Sequence, residues 1–226
     1  MSDPDYEALR TAFTASVSHE LRTPLARLQA LLETAELPGA DLQGLLRQAQ
    51  GEVVEMTELV DDVLFLSELE QGREIVALGD TEAAPVLRAV VDERIERAEL
   101  AGLELELHIE DETIHVPLRR RMLRLVLENL LENALRYAGE GATCTVTLAR
   151  EGGTVVLEVA DDGTGVPDDD VPRLFERFFR SDRARTTRGT GLGLAIVKHV
   201  IESAGGNVAA RGGQGRGLDV RCVLPV

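Results

Sequence analysis

Four clusters of residues in this chain are of types that could do chemistry, and they lie far apart in the sequence. The first is Ser18-His19-Glu20-Leu21-Arg22-Thr23-Pro24-Leu25. It sets an imidazole beside a carboxylate, one helical turn ahead of a proline. The second is Glu128-Asn129-Leu130-Leu131-Glu132-Asn133-Ala134-Leu135-Arg136-Tyr137. Asn129, Asn133 and then Arg136 or Tyr137 return to one face at helical spacing. Polar amides on a face that should pack are costly unless they bind something. The amide oxygen of Asn133 suits Mg2+, leaving the other positions of the ion to water and phosphate. A capped, solvated helix face is the plainer reading. The third cluster is Asp161-Asp162-Gly163-Thr164-Gly165. Here a carboxylate at a strand end can accept from an exocyclic amine, and the glycines let backbone approach a flat ligand. Alone, the same letters also spell an ordinary turn. The fourth is Gly189-Thr190-Gly191-Leu192-Gly193-Leu194, running into Ala195-Ile196-Val197-Lys198. Glycine amides backed by a helix N-terminus make an anion site suited to phosphates. No parallel strand immediately precedes it and no Lys-Ser or Lys-Thr follows it, so it is neither a Rossmann fingerprint nor a P-loop. A flexible hinge is the competing reading.

These residues need elements to hold them. Leu9, Phe13, Val17, Leu21, Leu25, Leu28, Leu32 and Ala35 recur at steps of three and four, as do Leu42, Leu45, Ala49, Val53, Met56, Val60, Val63 and Leu66. The break Glu36-Leu37-Pro38-Gly39-Ala40-Asp41 joins them as a helical hairpin. Each arm of about thirty residues spans roughly 45 Å. Two such helices cannot cover both apolar stripes, so a homodimeric four-helix bundle is expected. Beyond Gln71-Gly72-Arg73 the pattern predicts a short strand over 74–78 and a helix over 81–99, with Thr81 as its cap and Pro85 in its first turns. A half-buried strand over 103–109, a helix over 118–137 and strands over 144–148 and 154–160 come next. Residues 163–190 read as a long loop with room for one short helix. A helix over 191–204 and strands over 207–210 and 218–224 complete the chain. The order suggests an α+β organisation: residues 1–72 a helical hairpin, 73–80 a linker and first short strand, and 81–226 an α/β sandwich with helices on one face of the sheet.

Composition narrows the partners. The 226 residues are 44% hydrophobic and 28% charged, with a formal net charge of -16. Phosphate neutralisation needs clustered Lys and Arg, so nucleic acid and anionic membrane are poor partners. Aromatics make up only 3% and Trp is absent, so Leu, Val, Ile and Ala must build the cores. Cys144 and Cys222 read as buried thiols in a reducing compartment. No apolar run approaches ~18 residues, and Met1-Ser2-Asp3-Pro4 does not open a signal peptide. A cytoplasmic protein is expected, or the cytoplasmic part of an inner-membrane sensor anchored by a region N-terminal to this chain. His108, His115 and His199 have no matching partners and read as structural or surface residues.

Taken in order, the clusters resemble the sensor histidine kinases of two-component systems. Ser18 to Leu25 is similar to their H box and Leu130 to Tyr137 to the N box. Asp161 to Gly165 is similar to the G1 box, Leu174-Phe175-Glu176-Arg177-Phe178-Phe179-Arg180 to the F box, and Gly189 to Leu194 to the G2 box. The resemblance covers nearly the whole chain, from about residue 5 to 226. It implies a dimerisation and phosphotransfer hairpin followed by a Bergerat-type ATP-binding domain.

By this resemblance His19 is the phosphoryl acceptor, with ATP and Mg2+ as cofactors and a response-regulator receiver domain as partner. His19 lies off the stripe of Val17, Leu21 and Leu25 and is expected to face solvent. With an ordinary pKa of ~6.5 it is mostly neutral at pH 7 and offers a lone pair. Glu20 would orient the ring and take its proton, and Pro24 should bend the helix nearby. Asp161 would accept the adenine amine, with Gly163, Gly165 and Tyr137 beside the base. Asn129 and Asn133 would serve Mg2+ and the phosphates, Arg136 would add charge, and Gly189, Thr190, Gly191, Leu192 and Gly193 would line the phosphate path. Arg177, Arg180, Arg183, Arg185 and Arg188, in a lid over roughly 166–188, are candidates for the γ-phosphate. Related ATPases such as gyrase carry a general-base Glu where this chain has Asn129, so hydrolysis should be slow. Glu128 is offset by about 100° and should point elsewhere. Glu20 and Thr23 form the Glu-x-x-Thr pattern tied to phosphatase activity toward the phosphorylated regulator. Two other readings remain open at this level, a nucleotide-binding scaffold without catalysis and an ATP-driven clamp.

Overall fold

A computed structural model of the chain describes residues 3–70, 79–181 and 189–226. They form two units, one helical and one α/β. In the helical unit α1 (Asp3–Ala35) and α2 (Leu42–Glu70) make the hairpin. The reversal is built at Gly39, whose φ of 83° is left-handed. Asp41 then caps α2: its carboxylate accepts from the Gly44 N–H at 3.1 Å, the third residue of the helix. Helix α1 runs unbroken through Pro24. Glu52 of α2 is the one charged residue that is buried among those described, 3.8 Å from Arg27 of α1. The expected strand over 74–78 lies outside the described residues.

The α/β unit is a five-stranded sheet carrying helices on one face. Its strands are β2 (Glu104–Ile109), β4 (Thr143–Glu151), β5 (Thr154–Asp161), β6 (Asn207–Gly212) and β7 (Leu218–Pro225), in spatial order β2-β4-β5-β7-β6. Only the β2–β4 pairing is parallel. Alternate residues point to the helices, as period-two patterning demands. Cys144, Val146 and Leu148 of β4, Val155 and Leu157 of β5, and Val220, Cys222 and Leu224 of β7 are buried. Against them lie Leu87 and Val90 of α3 (Ala83–Asp92), Leu123, Leu127 and Leu131 of α5 (Arg120–Tyr137), and Ile196 and Val200 of α6 (Gly193–Ser203). The core is aliphatic, as the shortage of aromatics requires, and each such side chain contributes roughly 1.5–3 kcal/mol by leaving water. Burial pushes the Cys144 and Cys222 thiols up to about 12, so both stay protonated and inert.

The helix expected over 81–99 is divided. Thr81 does not cap it. Thr81 and Glu82 form β1, paired with β3 (His115–Val116), and the Ala83 N–H donates to the Ile114 carbonyl at 2.9 Å. Helix α3 then stops at Asp92 and α4 (Ile95–Leu100) starts anew. The residues at the break are claimed by α5: Glu93 by Arg124, and Arg94 by Glu128 at 3.7 Å. His115 is paired with Asp80 at 2.7 Å and exposed His108 with Glu106 at 3.1 Å. His199 is half-buried on α6.

Candidate nucleotide site and phosphoacceptor helix

Helix α5 supplies the polar face that the sequence singled out. The Asn129 amide nitrogen donates back to the Leu125 carbonyl at 2.9 Å. That fixes its oxygen toward α6, where a Cβ on Gly193 would stand 2.6 Å from it. Asn129 therefore lies against the N-terminus of α6, where unpaired N–H groups and the helix dipole favour an anion. Asn133, one turn on, is half-buried, and its amide bonds to none of the described residues. A part-buried amide oxygen left open in this way fits a ligand of Mg2+. Glu128 is turned aside, as its 100° offset demands, and is held by Arg124 at 3.0 Å.

Arg136 has a partner that the sequence reading did not give it. Its guanidinium binds Glu132 at 2.6 Å, one turn back, and Arg97 of α4 holds the same carboxylate at 2.8 Å. Burial works against the ionised Glu132, but hydrogen bonds and charge from Arg136 and Arg97 outweigh it and hold its carboxyl below the ordinary range. The Glu132–Arg136 pair is an i,i+4 spacing, which could have been read from the sequence.

The C-terminus of α5 docks on the loop after β5. The Thr164 N–H donates to the Ala138 carbonyl and its hydroxyl to the Tyr137 carbonyl, both at 2.8 Å. A Cβ on Gly163 would overlap the Ala138 carbonyl, so only glycine permits this approach. Asp161 closes β5, with one carboxylate oxygen accepting from the Gly163 N–H at 3.0 Å. Burial pushes the Asp161 carboxyl above the ordinary range, while N–H groups of Gly163 and Leu218 pull it back and the Asp162 charge raises it. The result is a fixed, partly desolvated acceptor at the C-terminal end of the central strand.

The glycine run before α6 is held from the other side by the Phe175–Phe179 segment. Phe178 has φ 61°, a left-handed backbone that costs a bulky residue energy, and its N–H donates to the Gly191 carbonyl at 2.9 Å. Arg173 stacks 4.2 Å above the Phe179 ring. Leu192 is fully buried beneath the turn. Arg177 and Arg180 are half-buried, whereas Arg183, Arg185 and Arg188 lie outside the described residues. Gly189 and Thr190 group with the helical unit: the Gly189 N–H donates to Glu55 at 3.4 Å and the Thr190 hydroxyl to Asp62 at 2.9 Å.

In the α/β unit Asn129, midway along α5, meets Gly193 at the start of α6, and the end of α5 at Tyr137 and Ala138 meets the Gly163–Gly165 loop that follows Asp161. His19, Glu20 and Thr23 lie on α1 in the helical unit. Thr23 is exposed and Glu20 half-buried, while the His19 side chain lies outside the described residues. Sequence reasoning missed the glycine-rich turn between β6 and β7. Four glycines within Gly212-Gly213-Gln214-Gly215-Arg216-Gly217 were the available signal.

Residues 118–226 match the family of histidine kinase-, DNA gyrase B- and HSP90-like ATPases. Residues 9–72 match the His kinase A (phospho-acceptor) domain. Over 226 residues the chain is 31% identical to the alginate biosynthesis sensor protein KinB of Pseudomonas aeruginosa, covering 98% of this chain and 38% of that protein. It is 34% identical over 227 residues to the sensor-like histidine kinase SenX3 of Mycolicibacterium smegmatis, covering 97% of this chain and 58% of the relative. The histidine kinase AdeS of Acinetobacter baumannii superposes with a TM-score of 0.75 at 26% identity, covering 92% of this chain and 97% of that one. The chain therefore spans between about a third and three fifths of the length of its curated relatives.

Proposed function

The chain belongs to the sensor histidine kinase family, and on that premise we propose that it phosphorylates itself on His19 and passes the phosphoryl group to an aspartate of a response regulator. One observation carries the assignment of the acceptor. The phospho-acceptor domain covers residues 9–72, and of the four histidines in the chain only His19 falls within it. An imidazole nitrogen of His19 attacks the γ-phosphorus of ATP in line. The bond from that phosphorus to the bridging oxygen breaks, ADP leaves, and the ring proton passes to Glu20. Positioning and charge dominate such transfers. Asp161 fixes the base, and the α6 N-terminus with Gly191 and Gly193 receives the phosphates. Asn129 and Asn133 would hold the Mg2+, which would supply charge for the phosphate oxygens. The aspartate of a receiver domain then takes the group from His19. In the reverse control step Thr23 positions a water against that phospho-aspartate. The chain acts as a homodimer in the cytoplasm, where ATP is supplied.

Incubation with γ-labelled ATP and Mg2+ tests the reading. The expected label is stable in base, lost in acid and absent from His19→Gln. A nucleotide-binding scaffold would take no label, and a clamp would release free phosphate instead. For the control step, Thr23→Ala should retain the label on His19 yet lose dephosphorylation of the regulator. Intact dephosphorylation in that variant removes Thr23 from the role.

A further inference from the structure

Glu132 lies between two arginines that do not hold it alike. Arg97 of α4 takes it as a fork: Nη2 donates to Oε1 and Nη1 stands by Oε2, both at 2.8 Å. Arg136 shares Oε1 through its Nε at 2.6 Å. Both carboxylate oxygens are therefore occupied by Arg97 whether or not Arg136 stays. That matters because the Glu132 side chain is only 23% exposed, where an unpaired charge is costly. The place of Arg97 does not depend on Glu132. Its neighbour Ala98 is fully buried, and the Ala98 carbonyl accepts from the Leu103 N–H at 2.9 Å. Arg94, one turn earlier, reaches Glu128 at 3.7 Å. Arg136 stands at a border on α5. It is three residues past Asn133 and four past Glu132, so it can serve the face of Asn129 and Asn133 or the row of Arg124, Glu128 and Glu132.

We propose that Arg97 is a positioning residue: by holding Glu132 with a fork of its own, it leaves the guanidinium of Arg136 available to the phosphates of a bound nucleotide. The proposal rests on the reading above in which Arg136 adds charge at those phosphates. A carboxylate and a phosphate compete for one guanidinium, and the outcome turns on what the carboxylate loses. With Arg97 in place, Glu132 gives up one of three contacts and keeps a full counter-charge. Without Arg97, the departure of Arg136 would strand a partly buried carboxylate, so Arg136 stays with Glu132 and the phosphates lose a cation. Neutralising Glu132 removes the competitor and releases Arg136 again. Joining α4 to α5 does not by itself call for Arg97, since the Glu93–Arg124 and Arg94–Glu128 pairs already tie the two together.

The test compares equilibrium binding of ATP with that of adenosine, which has the same base and sugar but no phosphate. Arg136→Gln comes first. It should weaken ATP by about tenfold, the loss of one hydrogen bond to a charged group, and leave adenosine within about twofold. Unchanged ATP binding in that variant overturns the reading of Arg136, and the proposal with it, before Arg97 is touched. Arg97→Gln should then weaken ATP by about fivefold or more, again sparing adenosine. Adding Glu132→Gln to Arg97→Gln should bring ATP back to within about twofold of the unaltered chain. Undiminished ATP binding in folded Arg97→Gln overturns the proposal. So does an equal loss for adenosine, which marks a merely structural role. A loss that Glu132→Gln does not repair also overturns it, because Arg97 would then act other than through Glu132. If circular dichroism shows Arg97→Gln unfolded, Arg97→Lys is read in its place, since lysine keeps the charge and lacks the fork. It should give an intermediate loss for ATP alone, and no loss would again overturn the proposal.

Discussion

Asn129 stands where a carboxylate would make water a nucleophile. An amide cannot take a proton from water, and here its nitrogen donates to the Leu125 carbonyl while its oxygen faces the N-terminus of α6. The nearest carboxylate on the helix, Glu128, is held away by Arg124 and Arg94. On the function proposed above, bound ATP would thereby be kept for an imidazole. Asn129→Glu should raise phosphate release from ATP by about tenfold or more and lower the yield of phosphohistidine. Phosphate release at the original rate would show that the residue is not what restrains hydrolysis. The type and spacing of Asn129, Asn133 and Asp161 were legible from residue chemistry alone. The ordinary i,i+4 pair of Arg136 with Glu132 is just as local, and it holds the guanidinium that the resemblance offered to the phosphates. The hold of Arg97 on Glu132 joins residues 35 positions apart, a distance that local pattern does not reach.

At the scale of elements, the hairpin was the most legible part, since a 3.6-residue apolar period and a Pro-Gly break are both local signals. Helix α2 begins at Leu42, where the period resumes, and Asp41 just before it is the cap. Asp41→Ala leaves the Gly44 N–H without its acceptor and should cost about 1 kcal/mol of hairpin stability, read as a lower denaturation midpoint with an unchanged slope. Asp41→Asn, which keeps an acceptor oxygen, should restore most of it. A midpoint unmoved in the alanine variant would mean that water replaces the cap without loss. Thr81 shows the limit of the same logic. It has the right type and place for a cap, yet its backbone is taken by Val116, 35 residues away. Nothing around Thr81 announces a two-residue strand whose only reason is a distant partner. The break between α3 and α4 is similar: Asp92, Glu93 and Arg94 contain no glycine or proline, and the contacts that divide the helix come from α5.

The two units of the whole molecule differ in how complete they are. The α/β unit buries its apolar residues on its own helices and sheet. The hairpin does not: among its described residues only Pro24, Glu52 and Leu59 are buried. Leu25 and Leu32 on α1, and Leu46, Val53 and Val60 on α2, stand exposed at intervals of seven. Such intervals return to nearly the same side of a helix and make the seam of a left-handed bundle. Leu32 is 59% exposed and Leu46 62%. Burying each would contribute roughly 1.5–3 kcal/mol, and a partner hairpin offering the same stripe is the simplest surface that can do so. The chain should therefore sediment as a dimer at micromolar concentration. Leu32→Glu combined with Val53→Glu, one charge on each helix, should give a monomer. Because the α/β unit has its own core, that monomer should still bind ATP with affinity within about threefold of the original. A monomeric unaltered chain would refute the shared bundle. A variant that dissociates and also loses ATP binding would show instead that the nucleotide site depends on the dimer.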